Sequence, residues 1–404
     1  MLKQVAKGIV KYIGLLIIFV ALLSLAFTIP NRSVVGNVQT SNEVFQVEGH
    51  YPFISAKDEG AELDNFTDWL MISKAIKGDK GIVPSAMYVG NYARYWHGYL
   101  VFLRPMLAFI SYTAIRQVYA VVLMCLLALN LVLLSKQFGT LSAMVFALAL
   151  SFQRFNVVFN NMQYANVMII MLVANLVVLK ANTLDMPRLK ILWLFLLIGS
   201  ITNYIDLLTY PLITFGVPCT ILLAKWYQSK SAPKLSDGGL TLLSSGLGWL
   251  LGYGMTWFSK WIIGSWVLHK NVVNDAIHSI LFRTEGSAQY PTNRVGTILK
   301  NIQFEFPKIN ILMLAMCIVL FAFAMIYFTS KRRNVSVPWV FLVLGGILLM
   351  APYVWYVVLT SHSQIHTWFT YREQLISVFA FLMMLVITIK ENAAESVAQE
   401  NIHL

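Results

Sequence analysis

Five carboxylates crowd into the stretch Asp58-Glu59-Gly60-Ala61-Glu62-Leu63-Asp64-Asn65-Phe66-Thr67-Asp68, which directly follows Lys57. From Leu63 onward the pattern turns helical: Phe66, Trp69, Leu70 and Ser73 can line one face while Asp64 and Asp68, four apart, project together from another. Like charges at that spacing repel by roughly a few tenths of a kcal/mol on an exposed helix, so the pair calls for a reason. Two readings fit. Asp64 can cap the helix, with Asp68 a solvated first-turn acid favoured by the helix dipole. Alternatively one carboxylate is a general base facing a membrane-embedded pocket while the other positions it or a substrate hydroxyl.

Other polar constellations could serve such a base. Asn91-Tyr92-Ala93-Arg94-Tyr95-Trp96-His97-Gly98-Tyr99 sets a cation and an imidazole among aromatics. Aromatic faces stack on sugar rings and also populate membrane interfaces, but an interfacial belt needs neither Arg94 nor His97. Asp206 stands at the end of an apolar hairpin, where an ionisable group is either functional or tied by a salt bridge, here to Arg154 or Lys260. Lys260 itself would snorkel to the interface if it had no ligand. His362 and His366 are four apart, followed by Arg372-Glu373. They could share a metal on one helix face, but the internal Glu of the zinc-protease signature and a third ligand are missing, so no metal is expected. A phosphate or sugar hydroxyl suits them better, with Arg372 offering a planar fork of donors. Arg283 and Arg294 could join around a phosphate leaving group, where pre-placed cations lower a barrier. Arg104 adds a further candidate cation.

The elements that must position these groups are apolar. The chain has 404 residues, 58% of them hydrophobic and 12% charged, with mean hydropathy +0.68. Such a composition fits a bilayer, whose core a helix of about 20 apolar residues crosses with its backbone hydrogen bonds satisfied. About ten such segments are predicted, near 12–29, 114–135, 139–156, 163–180, 191–205, 208–226, 240–258, 309–328, 337–359 and 374–389. The first, behind Lys3, Lys7 and Lys11, reads as a retained anchor because Pro30-Asn31-Arg32 follows it in place of a small-residue cleavage site. Lys136; Lys180, Arg188 and Lys190; Lys230 and Lys234; and Lys331-Arg332-Arg333 all fall in alternate connections, which the positive-inside rule assigns to the cytoplasm together with both termini. The same rule explains the net charge of +12 without nucleic acid.

The expected fold is therefore all-α: a polytopic membrane protein whose single transmembrane domain covers 1–390, with a loose polar tail over 391–404. Outer loops are expected at about 30–113, 259–308 and 360–373. Tyr99 to Ser111, interrupted by Arg104-Pro105, is too short to cross and reads as a re-entrant or interfacial helix. Cys125, Cys219 and Cys317 are scattered in apolar runs and suggest neither a disulfide nor a cysteine metal site. No phosphate-cradling Gly-x-x-x-x-Gly-Lys-Ser/Thr loop is present.

A first span, an outer loop bearing an acid, a helix along the membrane and many further spans together resemble the GT-C class of integral membrane glycosyltransferases. Leu63-Asp64-Asn65-Phe66-Thr67-Asp68, Tyr92 to Tyr99, Phe102-Leu103-Arg104-Pro105, Tyr204-Ile205-Asp206-Leu207-Leu208-Thr209 and Ser361 to Arg372 are similar to segments of multispanning proteins of Gram-positive bacteria. The resemblance implies transfer of a sugar from a polyprenyl-phosphate-linked donor to a cell-envelope glycan or lipid-linked acceptor, outside a bacterial cytoplasmic membrane and without a cofactor. It implies Asp64 as base, with Asp68 second and the Asp58-Glu59 pair third. The chain departs from the commonest Asp-Glu or Glu-Asp signature by spacing its acids at four. A transporter or flippase of lipid-linked glycans would explain the spans and buried charges too, but it should show internal repeats, and none is evident. A non-catalytic scaffold of an envelope-polysaccharide complex is the third possibility.

Overall fold

A computed structural model describes residues 2–55, 58–78, 81–88, 92–182, 186–331 and 336–400; Lys57, Asn91, Arg332, Arg333 and the last residues of the expected tail lie outside it. The fold is all-helical, 80% helix and without strands among the described residues. In chain order the helices are α1 (Leu2–Ala26), α2 (Asn31–Glu48), α3 (Asn65–Ser73), α4 (Ile82–Met87), α5 (Leu100–Leu107), α6 (Tyr112–Phe138), α7 (Thr140–Phe152), α8 (Phe155–Val158), α9 (Met162–Lys180), α10 (Arg188–Ile205), α11 (Ile213–Gln228) and α12 (Leu235–Leu268). There follow α13 (Val272–Glu285), α14 (Arg294–Glu305), α15 (Lys308–Lys331), α16 (Trp339–Val358), α17 (Thr360–Ile365), α18 (Thr367–Thr370) and α19 (Leu375–Glu400).

Among the described residues seven helical stretches are long and apolar enough to cross a membrane: Ala6–Ala26, α6, α9, α10, Lys308–Tyr327, α16 and Thr367–Asn392. Three segments expected to span fall outside that set. Helix α7 has 13 residues and α11 has 16, while α12 reaches 34 residues but is diluted by glycine and serine. Those glycines have a packing purpose. A Cβ on Gly248 would lie 2.3 Å from the carbonyl oxygen of Leu192, and one on Gly252 would lie 2.0 Å from that of Leu196. The spacing Gly248-x-x-x-Gly252 therefore lets α12 lie backbone to backbone on α10, the contact by which helices associate where no hydrophobic effect drives them together. Helix α9 is central, with 78% of its span buried, whereas α15 is peripheral at 6%.

The helices alternate in direction. At one end Lys225 of α11 donates to the last carbonyls of α9, Val178, Leu179 and Ala181, at 2.9, 3.1 and 2.9 Å. There too Arg188 at the start of α10 pairs with Asp237 at the start of α12, and Tyr227 of α11 donates to Glu391 of α19 at 2.9 Å. Over the tail expected at 391–404 the helix continues to Glu400, and at its start Glu391 and Asn392 bond Tyr227 and Ser336. Lys180, Arg188, Lys190, Lys225 and Lys230 gather at this basic end. The long connections and short helices meet at the other. Residues 99–111, expected to lie along the membrane, hold α5, an eight-residue helix containing Pro105.

Candidate functional site

A cleft of about 120 Å³ opens among those connections, lined by Tyr51, Asp64, Phe66, Thr67, Leu70, Tyr92, Tyr95, Gln163, Leu207, Arg283, His362, His366, Trp368 and Phe369. Its walls come from all three expected outer loops and from the ends of α9 and α10. Aromatic rings dominate. Tyr51 packs edge-on to Trp368 at 5.7 Å, and Phe369 stacks on His366 at 5.1 Å.

Asp64 is the carboxylate of this cleft. It is the N-cap of α3, and its oxygens accept from the backbone N–H and the hydroxyl of Thr67 at 2.8 and 2.9 Å. Burial pushes its pKa up to about 6, against the opposing effect of the Thr67 bonds. Each carboxylate oxygen has further lone-pair capacity, so capping does not use up its ability to accept a proton. Because α3 starts at Asn65, Asp64 and Asp68 do not project together. Asp68 is fully buried, does not line the cleft, and accepts from Tyr112 Oη at 2.5 Å and from the backbone N–H groups of Met162 and Gln163 at 2.8 and 3.0 Å. It caps the positive N-terminus of α9. Burial raises its pKa to about 7 while those donors and Arg116 work against the rise. Asp68 thus fastens α3, α6 and α9 together, and the structure does not bring it into the cleft beside Asp64 as expected.

Beside Asp64 lies a cationic and imidazole cluster. Arg283 of α13 hydrogen-bonds Nδ1 of His362, whose Nε2 lies 2.8 Å from the carbonyl of Leu208. A carbonyl can only accept, so the proton sits on Nε2 and Nδ1 accepts from Arg283, which fixes a neutral ring. Burial, and then the Arg283 charge, hold His362 well below its ordinary pKa and bring His366 down to about 3. The two rings are 5.0 Å apart. Nδ1 of His366 and Oε1 of Gln163 are buried without a hydrogen-bond partner among the described residues, both in the cleft wall. Among the described residues no three His, Cys or acidic side chains are grouped to hold a metal.

The remaining candidates lie behind the walls. Arg372 does not point into the cleft; it is buried, donates to the carbonyls of Trp368, Gly60 and Gln153, and sits 4.5 Å over the ring of Tyr164. Asp206 pairs with neither Arg154 nor Lys260. Both its oxygens accept from the N–H of Thr209, at 3.1 and 3.0 Å, closing the turn that presents Leu207 to the cleft and the Leu208 carbonyl to His362. Burial raises its pKa to about 6 despite those bonds. Arg154 instead holds Asp58 with two bonds of 2.9 Å. Burial would raise the Asp58 pKa, but Arg154 brings it down overall, which leaves Asp58 ionised and a weaker base than Asp64. Lys260 donates to the carbonyl of Met87 at 2.9 Å. Arg94 backs the aromatic wall, stacked on Tyr92 and Tyr95 and paired with Asp275 at 3.1 Å. His97 bridges Tyr99 Oη and the Tyr92 carbonyl, and Arg104 ties the carbonyls of Ala75 and Ile29 to Asn31. Arg294 is exposed outside the cleft.

No family model matches the chain, and comparison with curated proteins and with solved structures finds no match. The cleft is therefore interpreted on its own chemistry. Gln163 and Tyr51 are the wall residues that sequence reasoning missed. Gln163 opens α9, whose sequence reads as a plain apolar span, and Tyr51 lies in an otherwise featureless loop.

Proposed function

We propose that this protein is an integral membrane glycosyltransferase that moves a sugar from a polyprenyl-phosphate-linked donor to a cell-envelope glycan or lipid-linked acceptor, with Asp64 as general base. The observation that carries the reading is a carboxylate with a raised pKa of about 6 sharing an aromatic-walled cleft with a guanidinium and two neutral imidazoles. Aromatic walls suit sugar rings, and a base with a pKa near the working pH is the most effective one. In this scheme Asp64 takes the proton of an acceptor hydroxyl as that oxygen attacks the anomeric carbon. The bond from that carbon to the lipid phosphate breaks, and its electron pair leaves with the phosphate. Arg283 supplies fixed positive charge where that negative charge develops, and Gln163 Oε1 and His366 Nδ1 meet polar groups of the sugar.

The reading carries a topology. About ten spans, with α7, α11 and α12 completing the set, would put the basic end and both termini in the cytoplasm of a bacterial cell and the cleft at the outer face. It also carries a motion. Small-molecule pockets usually hold roughly 300–1,000 Å³, so a cleft of about 120 Å³ would have to widen to take a sugar.

The test is incorporation of labelled sugar from polyprenyl-phosphate donors by purified protein, wild type beside Asp64→Asn and Asp68→Asn, each with a thermal melt. Loss of turnover by about 100-fold or more in a well-folded Asp64→Asn is expected. Wild-type inactivity with every donor would turn the reading toward transport, and full activity in Asp64→Asn would remove the base.

A further inference from the structure

Helix α1 leans on α10 at two points. Near its start Gly8 lies against the ring of Trp193, where a Cβ would come within 2.9 Å. Near its other end Phe19 stacks on Tyr204 at 4.0 Å, and the Tyr204 hydroxyl donates to the Phe19 carbonyl at 2.8 Å. Between these contacts the helices part. They leave a groove of about 530 Å³, walled by Leu15, Ile18, Val177, Leu194 and Leu197, that reaches back to α9. Gly14 opens it further, since a Cβ there would meet nothing within 4 Å.

One end of this groove is cationic. Lys11 and Lys190 both line it, Lys11 with its Nζ 6.0 Å from the Trp193 ring, and among the described residues no acidic side chain joins the lining. Lys7 lies one turn before Lys11 on α1, and Arg188, whose charge Asp237 already meets, two residues before Lys190. Like charges at i, i+4 repel unless an anion lies between them. An apolar furrow parallel to two spanning helices, with ammonium groups where the hydrocarbon ends, matches an acyl chain below a negatively charged headgroup.

We propose that this groove is a binding site for an anionic glycerophospholipid of the leaflet at the basic end of the bundle, one acyl chain lying between α1 and α10 and the phosphate between Lys11 and Lys190. The site is remote from the Asp64 cleft and does not depend on the transferase reading. It would brace a helix that is mostly lipid-facing, with 22% of its span buried.

The groove is tested by quenching of Trp193. Purified protein is reconstituted in phosphatidylcholine vesicles doped with brominated phosphatidylglycerol or brominated phosphatidylcholine, and the signal of Trp193→Phe is subtracted from that of the wild type. Phosphatidylglycerol should quench Trp193 at a several-fold lower mole fraction than phosphatidylcholine. Lys11→Gln with Lys190→Gln should equalise the two lipids. Gly14→Leu, which fills the groove and improves helix propensity, should weaken quenching by both without lowering the melting temperature. Equal quenching by the two lipids in the wild type would reduce the contact to ordinary boundary lipid, and unchanged quenching in Gly14→Leu would show that no chain lies in the groove; either overturns the proposal.

Discussion

Arg283 and His362 are hydrogen-bonded across the edge of the cleft, guanidinium to Nδ1, and that contact fastens α13 to the α17 turn. It settles what His362 can do. With Nε2–H directed at the Leu208 carbonyl and Nδ1 accepting from Arg283, the ring has no lone pair left for a metal or a proton. His362 holds Arg283, and the ring atom of the His-x-x-x-His pair left without a partner among the described residues is Nδ1 of His366, four residues on and 5.0 Å away.

Replacing Arg283 by lysine keeps the charge but loses the fork that holds His362 and reaches a phosphate at the same time. In Arg283→Lys the KM for the lipid-linked donor should rise by about 10-fold, one lost charge-assisted hydrogen bond, with a smaller change in kcat. Steady-state kinetics at saturating acceptor separates the two. Unchanged donor KM would place the phosphate elsewhere.

Asp64 must be ionised to act as a base. With its folded pKa near 6, kcat/KM should be level above about pH 7 and fall about tenfold per unit below pH 6. A pH–rate profile flat through this interval would mean that another group takes the proton.

The all-helical fold and seven of the ten expected spans were legible because a crossing helix needs a run of about 20 apolar residues, whereas the segments that form α7, α11 and α12 fall short of that in length or hydropathy. The cleft was legible only in outline. Asp64, Arg283, His362 and His366 were all picked out from the sequence and do line it. The pairing of Asp64 with Asp68 failed on a single residue of helix boundary: α3 begins at Asn65, so the first acid is a cap whose side chain folds back on Thr67, and the second reaches the N-terminus of α9. The cations Arg372, Lys260 and Arg104 were expected to meet ligands, yet each donates to backbone carbonyls of distant segments. No local pattern marks which carbonyls a fold will leave for a side chain to satisfy. Gln163 was hidden for the complementary reason, since one amide in an apolar span has no periodicity to betray it.

Asp68→Ala should destabilise the protein without altering the chemistry of the cleft. It strands the N–H groups of Met162 and Gln163 and the Tyr112 hydroxyl in a buried site, at a cost of about 3 kcal/mol or more. A lowered melting temperature, with the specific activity of the remaining folded protein near that of wild type, is the expected outcome. Loss of turnover at an unchanged melt would instead return Asp68 to a catalytic role.

Two glycines on the same helix make a matched pair. Gly252→Ala drives a methyl onto the Leu196 carbonyl and should part α10 from α12, destabilising by about 2 kcal/mol or more. Gly254, two residues on, has nothing within 4 Å of its would-be Cβ, so Gly254→Ala should be neutral or slightly stabilising. Thermal melts of the two variants in one detergent decide it; equal effects would rule out a backbone-to-backbone approach of these helices.

His97 should make stability depend on pH in a direction that can be worked out beforehand. The ring is buried between the Tyr99 hydroxyl and the Tyr92 carbonyl, and burial, aided by the charges of Lys260, Lys74 and Arg94, holds its pKa down at about 3. An unfolded histidine takes up its proton near pH 6.5. Between pH 6.5 and 3 the unfolded chain therefore binds a proton that the folded chain does not. The stabilisation is complete above the unfolded value and drains away as pH falls towards the folded one, by up to about 1.4 kcal/mol per unit. His97→Asn keeps a residue that tolerates the left-handed backbone found there, φ 56°, but cannot titrate. Its melting temperature should lie below that of wild type at pH 7, and the gap should close steadily as the pH is lowered towards 5. A gap that stays constant over that range would mean that the folded protein binds the proton as readily as the unfolded chain does, and that the Tyr92 to Tyr99 turn does not depend on a neutral ring.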